Sequence, residues 1–315
     1  MSDHQTRSKA PKTKSTGTTI AMTITGFIVG ACTKTIFAPL ERTKILLQTH
    51  MSHPDVYHGR VAPYSGFVGC IREVRKNHST AGLWRGNLAN CLSGVPRGFS
   101  TLLLNDTINN AFPKVDAKTQ FWQSVGVKLL AGGLASGVYE AAAYPLTYCH
   151  TRMAAEVAPK KHQFNGIYHC LTSSVATQGI SSLYTGLSIS VASMFVYRGT
   201  QLGLFAQVQD MNPYRRDQGV LGAASSFAAV SCARTIALLL TYPFDTVRRR
   251  LMLEAEKPKP ERIYSGGIPH CVKDIMRREG VRGFYRGGVV ELCNGLTASL
   301  IIIGYDRWKV IKQQL

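Results

Sequence analysis

Three markers recur in one order, three times, and this repeat constrains the architecture more than any other feature of the 315-residue chain. The first is a proline followed by polar or charged residues: Pro39-Leu40-Glu41-Arg42-Thr43-Lys44, Pro145-Leu146-Thr147-Tyr148-Cys149-His150 and Pro243-Phe244-Asp245-Thr246-Val247-Arg248. The second is aromatic-x-Gly, at Tyr64-Ser65-Gly66, Phe164-Asn165-Gly166 and Tyr264-Ser265-Gly266, which start 100 residues apart twice over. The third repeats that pattern at Trp84-Arg85-Gly86, Tyr184-Thr185-Gly186 and Tyr285-Arg286-Gly287. Cys70, Cys170 and Cys271 also fall at matching places. The repeat divides the chain into units 18–115, 116–213 and 214–315, behind a polar, basic tail at 1–17.

Each unit holds two long apolar segments, at 18–47 and 87–110, 122–151 and 187–209, and 220–250 and 288–312. A helix needs about 20 apolar residues to cross a hydrocarbon core, and each segment reaches that length. Mean hydropathy over the chain is nonetheless only −0.02. Helices with an apolar outer face and a polar face toward a water-filled cavity reconcile the two facts. The predicted fold is therefore an all-α membrane protein, six transmembrane helices in three pseudo-symmetric repeats around a central cavity. The amphipathic stretches Gly66–His78 and Gly267–Glu279 suit helices lying at the membrane surface.

Charge supports a membrane reading. The chain carries 37 Lys or Arg against 18 Asp or Glu, a formal net charge of +19. The loops within the units (42–86, 149–186 and 248–287) hold 21 Lys or Arg, and the two between units (107–123 and 207–219) hold 4. Such asymmetry orients membrane proteins, and six spans put both termini on the less basic side. With 45% hydrophobic residues the chain has ample apolar surface to fold, which excludes disorder. A nucleic-acid partner is disfavoured, since the basic residues are spread over loops. No Cys-x-x-Cys pair, metal cluster, nucleophile–base pair or Walker-type loop is present, so neither a metal site, a cofactor nor an enzyme is expected. The eight cysteines read as packing thiols, and the N-terminus lacks the pattern of a secretory signal.

The repeat, the proline-acid-base stretches and the aromatic-Arg-Gly stretches together resemble the mitochondrial carrier family over residues 18–312. Within it, 38–48, 84–90 and 242–250 are similar to the ADP/ATP carriers. The resemblance implies a monomer working by alternating access in the mitochondrial inner membrane, with basic loops in the matrix and both termini toward the intermembrane space. It also implies a matrix gate of Glu41, Lys44, Thr147, His150, Asp245 and Arg248. Acid and base three residues apart share a helix face, so each acid can meet a base on the next repeat. Here Asp245 should pair with Lys44 and Glu41 should face His150, while Arg248 meets the uncharged Thr147. The cytosolic gate is reduced to Asp106, Asp306 and Lys309, since Asn109, Ala206 and Gln209 stand where the family has charges.

For the cavity, the resemblance points to Lys34 as a phosphate ligand and to Tyr197 and Arg198 as adenine-stacking and flanking basic residues. Ser93 and Asn294 replace expected arginines, and Ser193-Met194 replaces a Gly-Ile pair. Arg97, Glu140, Glu291 and Arg234 bring charges of both signs. Arg234 lies nine residues before Pro243, where the first repeat has Gly30. The stretch Arg248-Arg249-Arg250-Leu251-Met252-Leu253 keeps the nucleotide-carrier arginines with one methionine of three. Trp84, Arg85, Gly86, Tyr184, Gly186, Tyr285, Arg286 and Gly287 resemble cardiolipin sites, where helix N-terminal amides attract anions. The function implied is ADP/ATP antiport. Alternatives are a carrier of another phosphorylated or carboxylate-bearing metabolite, or a non-transporting or proton-leak relative.

Overall fold

The computed structural model describes residues 16–60, 62–97, 121–156, 163–210, 220–255 and 262–294, with a few single positions between them. Regular structure among these residues is helical throughout. Long helices α1 (Thr16–Thr49), α4 (Phe121–Ala154) and α7 (Val220–Glu254) open the three repeats. Each is followed by a surface helix, α2 (Phe67–His78), α5 (Ile167–Gln178) or α8 (Gly267–Arg278). The second segments are α3 (Asn87–Leu92), α6 (Leu187–Asp210) and α9 (288–294). The chain turns at Ser93 after α3 and is helical again at 94–97.

The long helices extend a few residues beyond the apolar stretches that predict them, because the polar residues after each proline stay helical. Asp245, for instance, takes Arg248 at 2.8 Å and Arg249 at 3.1 Å, one turn ahead on its own helix. Pro39, Pro145 and Pro243 lie inside α1, α4 and α7. A proline lacks the N–H that the carbonyl four residues earlier would accept. For Pro39 that carbonyl belongs to Thr35, and the Trp84 indole N–H donates to it at 2.9 Å.

Three arginines tie the repeats into a ring. Arg42 of α1 donates to the carbonyls of Ala154 at 3.1 Å and Glu156 at 2.9 Å, at the end of α4. Arg152 of α4 donates to the Leu253 carbonyl of α7 at 2.6 Å. Arg250 of α7 donates to the Gln48 carbonyl of α1 at 3.0 Å. Each guanidinium thus meets carbonyls that the last turn of the next helix leaves without an intrahelical donor.

The glycines of the third marker fit against the same helix ends. Gly86, Gly186 and Gly287 have φ of +84°, +84° and +78°, a region costly for residues with a Cβ. A Cβ on Gly86 would lie 3.0 Å from the His150 carbonyl of α4. On Gly186 it would lie 3.1 Å from Arg248 Cγ of α7, and on Gly287 3.3 Å from the Lys44 carbonyl of α1. The three neighbours are the equivalent base positions of the repeat.

Outside the ring, polarity is inverted relative to a water-soluble fold. Ile28 and Ile36 on α1, Leu130, Leu134 and Val138 on α4 and Leu239 and Leu240 on α7 are exposed, while Arg42, Arg250, Gln48 and Glu140 are buried. Contiguous exposed apolar stripes of this kind mark a surface meant for a non-aqueous partner. Two stretches of the described residues, Ile180–Gln201 and Phe227–Glu254, are long and apolar enough to cross a membrane.

All eight cysteines are free thiols. Cys70, Cys170 and Cys271 anchor the surface helices and are fully buried, and burial pushes the Cys70 and Cys271 thiols up to about 12. The expectation of packing thiols fails for Cys32, Cys232 and Cys293, which are exposed.

Gly86→Ala, Gly186→Ala and Gly287→Ala should each lower the thermal unfolding midpoint. The backbone conformation alone costs about 1–2 kcal/mol for an alanine, and the contacts with the neighbouring helix add to it. Gly126→Ala, with open space at its Cβ position, should shift the midpoint far less.

Candidate functional site

Two adjoining cavities lie among the repeats. The first, of about 340 Å³, has the gate residues Glu41, Lys44, Asp245, Arg248, Arg249 and Glu291 at one end and Ser190, Ser193, Met194, Tyr197, Arg234 and Thr241 around the rest. The second, of about 390 Å³, is lined by Arg97, Ser136, Tyr139, Glu140 and Arg198, and shares Ser193, Met194, Tyr197 and Thr241 with the first. On α7 the lining residues Arg234, Leu238, Thr241, Asp245 and Arg248 follow a four-three-four-three spacing, one face of a helix.

At the gate, six charges of alternating sign form one chain. Arg97 Nη2 stands 2.7 Å from Glu140 Oε2, and Glu140 Oε1 stands 3.4 Å from Arg248 Nη1. Arg248 Nη2 meets Asp245 Oδ1 at 2.8 Å, Lys44 Nζ meets Asp245 Oδ2 at 3.1 Å, and Lys44 Nζ meets Glu291 Oε2 at 2.9 Å. The chain links all three repeats. Arg248 also donates to Ser190 Oγ at 2.9 Å, and Arg97 to Thr147 Oγ1 at 3.2 Å.

This corrects the sequence reading of the second repeat. Arg248 does not meet Thr147 but Glu140, seven residues earlier on the same face of α4. Two helical turns separate the positions, about 10 Å along the axis, and the long guanidinium side chains bridge the offset. The gate therefore has no gap at that link.

Glu41 and His150 form the link that depends on a proton. His150 Nδ1 lies 3.0 Å from the Gly86 carbonyl, which only accepts, so the partner assigns the ring proton to Nδ1. His150 Nε2 then faces Glu41 Oε1 at 3.5 Å, while Asn90 Nδ2 donates to Glu41 Oε2 at 2.7 Å. In a neutral ring Nε2 is an acceptor and gains nothing from a carboxylate. Attraction requires a second proton on the ring.

The remaining candidates divide. Ser193, Met194, Tyr197 and Arg198 are brought together with Arg97 and Glu140 around the cavities. Lys34 lines neither cavity: its Nζ donates to the Asn90 carbonyl at 2.5 Å and lies 3.5 Å from Ser93 Oγ. Ser93 is buried with its hydroxyl on the same carbonyl at 2.7 Å, and Arg97 reaches that hydroxyl at 3.3 Å. Asn294 lies outside both linings, and its buried Oδ1 has no partner among the described residues. Asp106, Asp306 and Lys309 lie outside the described residues.

The arginine-rich stretch splits by direction. Arg248 and Arg249 line the cavity, whereas Arg250 turns away to Glu279 at 3.0 Å. Leu251 and Met252 are buried in separate core clusters, and Leu253 packs on a third. At the third marker, Trp84, Tyr184 and Tyr285 are 40%, 39% and 39% exposed, so the three repeats present the same aromatic shelf. The arginines beside it are turned inward: Arg85 pairs with Glu156, and Arg286 with Glu279 at 2.8 Å. The residues missed by the sequence reading are Ser136, Tyr139, Ser190 and Thr241 in the lining, and the buried ring formers Arg42 and Arg152.

His150→Arg sets a permanent cation against Glu41 and should slow exchange in liposomes by holding the two helices together. Exchange at the parental rate in that variant would remove this contact from the transport cycle.

A sequence profile described as Mitochondrial carrier protein matches residues 15–116, 121–215 and 219–314. The ADP,ATP carrier protein of Parachlorella kessleri is 36% identical over 287 residues, covering 91% of this chain and 83% of the algal protein. ADP/ATP translocase 3 of Homo sapiens is 31% identical over 295 residues, covering 91% and 96%. ADP/ATP translocase 4 of Bos taurus is 32% identical over 289 residues, covering 91% and 87%. A threefold profile match over nearly the whole chain, with relatives at 31–36% identity, places this chain in the mitochondrial carrier family of membrane transporters.

Proposed function

We propose that the chain exchanges adenine nucleotides across the mitochondrial inner membrane by alternating access. The observation that carries this reading is the pair of adjoining cavities closed at one end by the charge chain, with Tyr197 and Arg198 on its wall. The Tyr197 ring offers a face on which a base can stack, an interaction of about 1–3 kcal/mol per base. The names of the relatives point the same way. In this reading the closed gate lies on the matrix side with the basic loops, and both termini face the intermembrane space. The protein works as a monomer, and the aromatic shelves with their helix N-termini hold cardiolipin.

The chemistry of transport follows from the gate. With the gate shut, an anionic solute enters from the opposite side and is held by cations of the wall. Opening toward the matrix must separate Lys44 from Asp245 and Arg248 from Glu140, since both contacts cross between repeats. A polyanion competes with these carboxylates for the same cations and lowers the cost of separation.

A second reading, a carrier of another phosphorylated or carboxylate-bearing solute, is favoured by Glu140. It occupies Arg97 and Arg248 together, and Ser93 and Asn294 supply no charge in place of the expected arginines. A non-transporting role fits less well, because the ion pairs described among the charged residues of one gate link all three repeats.

The experiment is uptake of labelled ADP by liposomes loaded with ATP, beside a thermal-shift panel of nucleotides, sugar phosphates and dicarboxylates. Lys34 is held by the Asn90 carbonyl outside both cavities and must turn from it to meet a phosphate; if it does so, Lys34→Ala should reduce ADP exchange roughly 10- to 100-fold, the effect of losing one charge-assisted hydrogen bond, while the protein stays folded. Equal uptake by variant and parent would remove Lys34 from the substrate path. Stabilisation by a dicarboxylate and not by ADP would favour the second reading.

A further inference from the structure

Arg234 is a cavity cation that no described carboxylate compensates. Of the cations lining the two cavities, Lys44, Arg97, Arg248 and Arg249 each have a carboxylate within ion-pair distance. Among the described residues Arg234 has none, and its buried Nε has no hydrogen-bond partner. It shares the first cavity's wall with Tyr197, and it stands on the face of α7 that continues to Asp245 and Arg248. Fourteen residues separate Arg234 from Arg248, roughly 20 Å of helix, so it is remote from the gate that occupies the other arginine. A guanidinium in a partly desolvated wall is costly without an anion, and its planar fork matches two oxygens of a phosphate.

We propose that Arg234 is the anion-binding residue of the cavity and takes the phosphate group of the transported solute beside Tyr197. The proposal rests on the transport reading above and moves the principal phosphate contact from the wall of the first repeat to the third. Glu140 explains why the contact moves. It holds Arg97 and Arg248 in the charge chain, so an arginine of the first cavity that remains available to an entering phosphate is Arg234. Arg198, exposed on the second cavity's wall and without a carboxylate partner among the described residues, adds positive potential on the approach.

The test uses the purified full-length chain, with thermal unfolding measured against ADP, adenosine, pyrophosphate and a sugar phosphate. The parent should be stabilised by ADP and little by adenosine. Arg234→Gln should unfold at the parental temperature without ligand and require roughly 10- to 100-fold more ADP for the same shift. Arg234→Lys, which keeps the charge and loses the fork, should fall between them, and it carries the test should Arg234→Gln not fold. Equal ADP response in parent and variants would overturn the role of Arg234 and leave the nucleotide reading standing. Stabilisation of the parent by pyrophosphate or the sugar phosphate and not by ADP, lost in Arg234→Gln, would support Arg234 and overturn the nucleotide reading. No response of the parent to any phosphorylated compound would overturn both.

Discussion

The ends of three long helices meet at one point, and the structure depends on how that meeting is satisfied. Each helix terminus presents carbonyls without intrahelical donors and the negative end of its dipole. Three such ends side by side repel and lie too far inside to be solvated freely. Arg42, Arg152 and Arg250 resolve both problems by the same contact, each donating from one helix into the carbonyls of the next. The direction is cyclic, first repeat to second, second to third and third to first, so the set closes only when all three repeats are present. The close approach of Gly86, Gly186 and Gly287 follows from it. Those glycines sit against the helix ends that the arginines hold, beneath the residues that form the gate.

The repeat unit was legible because its markers are backbone devices. Prolines inside long helices and glycines at positive φ tolerate few substitutes, so they stay in register through all three copies. The side-chain contacts were less legible for a physical reason. Arg152 and Arg250 lie seven residues after their prolines, but Arg42 lies three after Pro39, and all three reach the same kind of carbonyl. Aligning the copies residue by residue hides a function that a long side chain performs from a neighbouring turn. The same blindness produced the expected gap at Thr147. The acid that serves Arg248 is Glu140, two turns away on the same face, and a position-by-position reading does not look there.

The cavity was legible in part and for a similar reason. Ser193, Met194, Tyr197 and Arg198 follow one another on a regular helix, so their shared surface is fixed by helical geometry. Lys34 is different. Its position within an apolar segment marks it as unusual, but which way its ammonium turns depends on the break in the chain at Ser93. That break exposes the Asn90 carbonyl, and Lys34 and the Ser93 hydroxyl both take it. Gly94 and Pro96 mark the place of that break in the sequence, but not which side chains take the carbonyl it frees.

The charge chain also explains how carboxylates are tolerated inside the cavity. Arg97, Glu140, Arg248, Asp245, Lys44 and Glu291 alternate in sign, so each charge has an opposite neighbour, and the desolvation cost of the four inner members is offset by two contacts each. Removing Glu140 detaches Arg97 from the chain and removing Lys44 detaches Glu291, whereas Arg248 and Asp245 each keep a partner when one neighbour is lost. A lone cation such as Arg234 is outside this protection, and so is the Glu41–His150 link, which lacks its attraction when the imidazole is neutral. The two exceptions sit at opposite ends of the same cavity. One is a cation with no carboxylate beside it among the described residues, and the other a carboxylate facing an imidazole that attracts it only with a second proton, while the compensated charges lie between them along the cavity wall.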